Sequence, residues 1–274
     1  MKIKVKLFDR KLIKKYLEVL SIIGVLSSFA LIVITIPDCL KVFVGIGLLL
    51  ILLIIYTIMW LIANNKNKTK LNINNSTMII KTGDIFEEDG LKVIAFNEYF
   101  DTQVDNKIIA ENTLNGIYIK SKLSDVNEFD NLINDDIHLN EKVIDTNNSR
   151  LFGKKKRYSL GTVFQYKDYV LTAFSKFDNE NRAYLFMNDY INFLINFWNE
   201  IDIIYAGRSI SIPLLGSGIT RFKGFDSVTE QELLELLIWS FKVSRIKFTY
   251  PSKVSIIIHE SKRDKINFFK LKEE

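Results

Sequence analysis

Two long uncharged runs near the start of the chain constrain it more than any other feature. From Leu20 to Ile36, and again from Val42 to Ala63, no side chain carries a charge. The second run has 22 residues, about 33 Å as a helix at ~1.5 Å per residue, which matches a hydrocarbon core of roughly 30 Å. The first reaches comparable length when Tyr16 to Val19 are included, with Glu18 near the interface. Between them, Ile36-Pro37-Asp38-Cys39-Leu40-Lys41 is a short connection whose proline ends a helix. The pattern predicts two membrane-spanning helices, about 16–36 and 42–63, joined as a hairpin. A cleaved signal peptide is the competing reading of the first run, but that run is too long for a usual h-region and a second follows at once. Two core helices of a soluble protein is the other reading, disfavoured by the length and purity of both runs.

Charge follows the same division. Residues 1–15 hold seven bases against Asp9, giving +6, and residues 16–71 give +2. Since the whole chain is +5, residues 72–274 are left at −3. The positive-inside rule therefore puts both termini and the soluble part in the cytoplasm: Lys41 is the only base in the turn, and the flanks carry the rest. A mildly acidic soluble part argues against a nucleic-acid partner. Its one basic run, Lys154-Lys155-Lys156-Arg157, reads as a solvated loop. Cys39 is the only cysteine, so there is no disulfide framework. His138 and His259 are the only histidines; they read as structural, and no metal site is expected. No ionisable residue lies at mid-membrane, which argues against an ion-coupled transporter. Gly24 with Ser28, and Gly45 with Gly47, let helix backbones approach, so the hairpin anchors the chain and is able to self-associate.

Residues 64–76 are polar and asparagine-rich and read as a linker to a domain over 77–274. In that domain, strand patterns are predicted at 77–82, 91–96, 116–120, 162–166, 169–174, 209–215 and 254–259. Helical patterns fall at 106–114, 125–134, 183–203 and 229–245, the last with Ser227 and Glu230 spaced as a capping box. The alternation predicts an α/β fold: a mixed sheet with helices on both faces.

Two loops carry chemistry. Gly83-Asp84-Ile85-Phe86 follows the first of these strands, and Pro213-Leu214-Leu215-Gly216-Ser217-Gly218-Ile219 follows a late one. A strand that ends in Gly-Ser-Gly exposes backbone N–H groups with no β-carbons in the way, a nest for a phosphate or diphosphate. The bland alternative is a glycine turn without a ligand, and an aspartate after a strand is commonly a cap.

Taken together, with the strand 91–96 leading into Asn97 between them, the two loops resemble those of a macrodomain, the ADP-ribose-binding α/β/α module. The resemblance covers about 77–260. It implies that Asp84 accepts from the adenine amino group, that Ile85 lies beside the diphosphate and that Asn97 lies near the distal ribose. Gly216, Ser217, Gly218, Ile219 and Thr220 would form the second diphosphate loop. Departures stand beside the likeness. Ile94 takes the place of the family's first motif asparagine, and no glycine lies between Asn97 and Gly116, where hydrolytic macrodomains carry a glycine triplet. Binding without turnover is therefore expected, with no catalytic residue. Asp101 and Thr102 occupy the place of the triplet; they contact a group on the distal ribose or serve only the loop.

A membrane hairpin followed by such a macrodomain resembles the membrane-bound effector of bacterial Thoeris anti-phage systems. That resemblance implies no cofactor but a small-molecule signal, histidine-ADP-ribose, made from NAD by a partner with a TIR domain. It also implies a homo-oligomer that disrupts the bacterial inner membrane and kills or arrests the cell. The alternatives are a membrane-tethered ADP-ribosylglycohydrolase and a non-catalytic scaffold.

Overall fold

The computed structural model describes residues 3–225 and 227–271. Met1 and Lys2 of the basic N-terminus, Asp226, and residues 272–274 at the end of the 77–274 region lie outside the described residues. The chain divides into two compact units: Met1–Thr69 with Ile266–Lys272, and Lys70–Lys265 with Glu273–Glu274.

The first unit is built on two helices, α1 (Arg10–Val33) and α2 (Asp38–Asn65). Both are long and apolar enough to cross a membrane, with mean hydropathy of 2.1 and 2.9 over their best windows and none of those windows buried. Helix α1 begins earlier than expected because Asp9 caps it, accepting from the Lys11 and Leu12 N–H groups at 2.9 and 3.1 Å. It ends at Val33, and Pro37 is the N-cap of α2. Tyr16 and Tyr56 meet edge to face at 5.0 Å between the helices. At the end of α2, buried Asn64 accepts from the Lys4 and Val5 N–H groups at 2.8 and 3.0 Å. The C-terminal segment returns to the same place: Lys11 donates to the Phe269 carbonyl at 2.7 Å, and Phe269 packs with Val5, Leu12 and Ala63.

The second unit is a nine-stranded mixed sheet. Its strands are β1 (Lys68–Ile73), β2 (Ser76–Thr82), β3 (Leu91–Asn97), β6 (Val163–Tyr166), β7 (Tyr169–Phe177), β8 (Ala183–Leu185), β9 (Ile210–Pro213), β10 (Arg221–Phe222) and β11 (Lys253–Ile258). Their spatial order is β1-β2-β11-β9-β3-β7-β8-β10, with β6 also pairing β7. The pairings β2–β11, β11–β9, β9–β3 and β3–β7 are all parallel. A separate small hairpin joins β4 (Val143–Thr146) and β5 (Lys156–Tyr158).

Period-two alternation sorts the central strands onto two faces. Ile94, Phe96, Leu171 and Ala173 pack with helices α3 (Leu114–Lys122), α4 (Val126–Asp135) and α5 (Ile137–Glu141) through Tyr118, Phe129, Ile133 and Leu139. Phe174 instead meets Phe193 of α6 (Met187–Ile204) at 4.9 Å. Trp198 of α6 stacks edge-on to Phe241 of α7 (Glu230–Val243) at 4.9 Å and donates to Ser240 at 2.9 Å. Helices therefore cover both faces, as the alternation predicted, and β3 is buried along almost its whole length.

Several local expectations are corrected. The stretch 64–76, read as a linker, holds the end of α2, strand β1 and a tight turn in which Asn74 and Asn75 both have positive φ (52° and 62°). Residues 116–120, read as a strand, lie inside α3: Thr113 caps it, and Tyr118 and Ile119 face the core while Lys120 faces out. Residues 106–114, read as a helix, are irregular because the Asp105 side chain takes the Lys107 and Ile108 N–H groups at 2.8 Å. The run from Ala183 begins with β8, and α6 starts only at Met187. The capping box of α7 is Thr229 with Glu232, not Ser227 with Glu230.

Phe129 is fully buried between Phe164, Tyr166 and Tyr118, with ring separations of 5.3–6.5 Å. Phe129→Ala is expected to destabilise the second unit by about 3–5 kcal/mol, read from the urea midpoint of the full chain in detergent.

Candidate functional site

Because the central pairings are parallel, β2, β11, β9, β3 and β7 deliver their carboxyl ends to one edge of the sheet. Ligands of open α/β sheets bind in the crevice at such an edge. Here that crevice has a volume of about 450 Å³, within the range of small-molecule sites.

Its lining follows the strand order. After β2 come Gly83, Asp84 and Ile85; after β11, His259; after β9, Leu214 to Thr220; from β3, Asn97; from β7, Ser175 and Phe177. The N-terminus of α3 closes one side with Asn112, Thr113 and Asn115.

The β9 loop has the most distinctive chemistry. Ser217 folds back, with both its N–H and its hydroxyl donating to the Leu214 carbonyl at 3.2 and 2.7 Å. Gly216 has φ +84°, and a β-carbon there would lie 2.9 Å from the Phe222 ring, so only glycine fits. Among the described residues, the N–H groups of Gly216, Gly218, Ile219 and Thr220 have no hydrogen-bond acceptor. A run of unbonded N–H groups on a glycine loop is an anion nest. Gly218 has open space around its missing β-carbon.

Across the crevice, Gly83 N–H continues the ladder to the Ile258 carbonyl at 3.0 Å. Asp84 caps the 3-10 turn Ile85–Glu87, one carboxylate oxygen accepting from Phe86 N–H at 2.9 Å. Its second oxygen makes no hydrogen bond among the described residues, so it remains an acceptor at the crevice wall. Asp84 is thus both the cap of the bland reading and a lining group.

Asn97 lines the crevice, but its amide is largely used within its own turn. Its oxygen accepts from the Tyr99 and Asp101 N–H groups at 3.0 and 3.3 Å, and its nitrogen donates to Asp101 at 2.9 Å. The turn forces Phe100 to φ +50°. Asp101 and Thr102 are not among the residues that line the crevice, and both have partners elsewhere, in keeping with the loop role. Asp101 is buried and pairs with Arg150 at 2.6 and 3.1 Å, while Thr102 donates to Asp130 at 2.8 Å. A buried carboxylate needs a cation and donors, and Arg150 supplies both from 49 positions away. The same guanidinium lies over the Tyr99 ring at 4.0 Å and donates to Asn181 at 2.9 Å. Ser175, Phe177, His259 and the α3 N-terminus were missed because their motifs are unremarkable; only the strand ends on which they sit point to them.

Two groups near this turn have shifted acidity. Burial pushes the Glu98 carboxyl upward, partly offset by the Phe177 N–H bond and by Arg157 and Lys176. Burial likewise pulls Lys154 down, although Asp130 lies 2.6 Å away.

These contacts generate two expectations. Arg150→Met leaves Asp101 buried and unpaired and should destabilise by about 3–5 kcal/mol, whereas adding Asp101→Leu should recover most of the loss. A urea double-mutant cycle reads both. A raised carboxyl contributes stability that is full below the ordinary glutamate range, about 4.5, and lost as pH rises through the folded value. Glu98→Gln should therefore stabilise the chain at neutral pH, with the advantage vanishing in acid, as followed by thermal melts across that range.

Residues 78–259 match the family described as Thoeris protein ThsA, Macro domain. A Thoeris protein ThsA of Bacillus amyloliquefaciens (strain Y2) is 50 % identical over 233 residues, covering 83 % of this chain and 76 % of that protein. Two solved structures of the Oceanobacillus iheyensis macrodomain are also similar. One, with MES bound, has 16 % identity and TM-score 0.47, covering 72 % of this chain and 90 % of that one. The other, with ADP, has 14 % identity and TM-score 0.48, covering 74 % and 93 %. With a match that runs from within β2 to just past β11, and half of the aligned residues shared with a full relative, the chain belongs to the Thoeris protein ThsA family and carries its macro domain.

Proposed function

We propose that this chain is a membrane-anchored anti-phage effector whose crevice binds an ADP-ribose derivative as a signal. The observation that carries the reading is that the N–H groups of Gly216, Gly218, Ile219 and Thr220, unbonded among the described residues, belong to a loop that lines one crevice together with the Gly83-Asp84-Ile85 turn. A diphosphate satisfies the nest. In this reading the second carboxylate oxygen of Asp84 accepts from an adenine amino group, and the nucleotide extends toward Asn97 and Phe177. Histidine-ADP-ribose, made by a partner with a TIR domain, is the proposed signal.

Binding without turnover is supported by the segment after Asn97. Residues 98–102 hold no glycine, and their two carboxylates are engaged: Asp101 with Arg150, and Glu98 with the Phe177 N–H. Nothing in this segment is left to activate a water at the ribose. The ligand acts by favouring a self-associated form for which the liganded chain has greater affinity. Association gathers apolar hairpins in the inner membrane, and their packing disrupts it. Both termini and the soluble unit lie on the cytoplasmic side, in keeping with the basic flanks.

Gly218→Glu tests the site with little risk to folding, since its β-carbon enters open space. A carboxylate there opposes the diphosphate and is expected to weaken ADP-ribose and histidine-ADP-ribose by at least about a hundredfold in Kd. Calorimetry on the full chain in detergent measures this, and chromatography of the recovered ligand checks that none is consumed. Steady ligand cleavage would instead make the chain a hydrolase. Absence of any nucleotide binding would leave the scaffold reading.

A further inference from the structure

The buried Asp101–Arg150 pair holds up something unusual. The residues immediately after Arg150, Leu151 and Phe152, are 88 % and 65 % exposed. Arg150 itself is only 7 % exposed at its side chain and grips Asp101, Asn181 and the Lys154 carbonyl. Gly153, just beyond the tip, has φ +83°, and a β-carbon there would lie 2.6 Å from Asp101. Both shoulders of the tip are therefore fixed on a buried ion pair, whose desolvation is costly, and the product is two large apolar side chains standing in water. Such exposed apolar groups in a fixed setting mark an interaction site.

The same unit carries a receptor for them. Between the start of α6, the loop before α7 and the first three turns of α7 lies a groove of about 420 Å³, walled by Met187, Ile191, Phe225, Leu236 and Trp239. Trp239 and Phe225 are 49 % and 45 % exposed. Glu232 and Glu235 also line it, with no Lys or Arg among the lining residues. The tip is followed by Lys155 and Lys156, so an apolar tip with basic shoulders faces an apolar groove with acidic walls. Anionic lipid is the less favoured occupant. Lys154 is held by Asp130 and Arg157 by Asp145, at 2.6 and 2.5 Å, and lipid-binding patches gather roughly four to eight bases.

We propose that the Leu151-Phe152 tip of one copy inserts into the α6–α7 groove of a second copy. Tip and groove are different surfaces, so the contact is head to tail and propagates into a ring or an open chain rather than stopping at a dimer. The inference rests on the self-association in the proposed function and gives it a surface.

The test uses the full chain in neutral detergent, with ADP-ribose and histidine-ADP-ribose as probes, mass read by light scattering and ligand binding by thermal shift. Wild type is expected to form assemblies larger than dimers. Phe152→Glu and Trp239→Glu should each raise the concentration needed for assembly at least about tenfold, while both keep the wild-type thermal shift. Mixed one to one, the two variants should form dimers and nothing larger, because each mixed pair retains one intact tip and one intact groove. Single variants that assemble as wild type does would overturn the interface while leaving the ligand site standing. A wild type that binds ligand yet stays monomeric would do the same. A wild type that shows no thermal shift would overturn the ligand site instead, and its assembly would then decide the interface separately. An effect of Phe152→Glu seen only in anionic nanodiscs would assign the tip to lipid and overturn the proposal.

Discussion

Parallel pairing of β2, β11, β9, β3 and β7 is the constraint from which the rest of the second unit follows. Parallel strands need crossovers, the crossovers are helices, and helices on both faces bury the central strands completely. The near-continuous apolar character of Leu91–Asn97 is the imprint of that arrangement, as are Phe96 on one face and Phe174 on the other. The same alignment collects five strand ends at one edge, where polypeptide must turn and backbone donors run out of partners. The Gly216–Thr220 loop is the clearest case: it lines the crevice, and the N–H groups of Gly216, Gly218, Ile219 and Thr220 have no acceptor among the described residues.

The turn after Asn97 shows how one sequence departure reorganises a site. Without glycine the segment 98–102 cannot approach a ligand by its backbone, and the chain has used its side chains to bury it. Glu98 and Asp101 go inward, Phe100 takes a left-handed conformation, and Arg150 arrives from a distant loop to neutralise Asp101. The turn behind Asn97 is thus held by its own side-chain partners. A buried pair of this kind contributes little net stability compared with an apolar replacement, but it fixes geometry, and here it fixes both Asn97 at the crevice and the apolar tip outside.

Much of this was legible in the residues, for identifiable reasons. The two apolar runs and the Gly-Ser-Gly loop are local signals whose physics needs no partner, and strands such as 77–82 and 254–259 alternate or run apolar as buried strands must. The failures share a different cause. Gly116–Lys120 looks extended because of Ile117, Tyr118 and Ile119, yet Thr113 caps a helix there and tertiary burial suits the helical face. Asn106–Leu114 looks helical until Asp105 captures the N–H groups that would start the helix. The sequence leaves Asp101 open between a ligand contact and a loop role, because nothing in the chain announces that Arg150 folds onto it. The return of Phe269 to the base of the helical hairpin is equally silent. Long-range pairing of side chains is what the sequence does not spell.

Hydrogen exchange of the full chain in detergent, with and without saturating ADP-ribose, addresses the central claim most directly. The account expects new amide protection confined to Leu214–Thr220 and to Gly83–Phe86, the loop and the turn proposed to meet the diphosphate and adenine. Protection elsewhere with these two segments unchanged would contradict it, because the unbonded N–H groups of the Gly216–Thr220 loop would then have no ligand to serve.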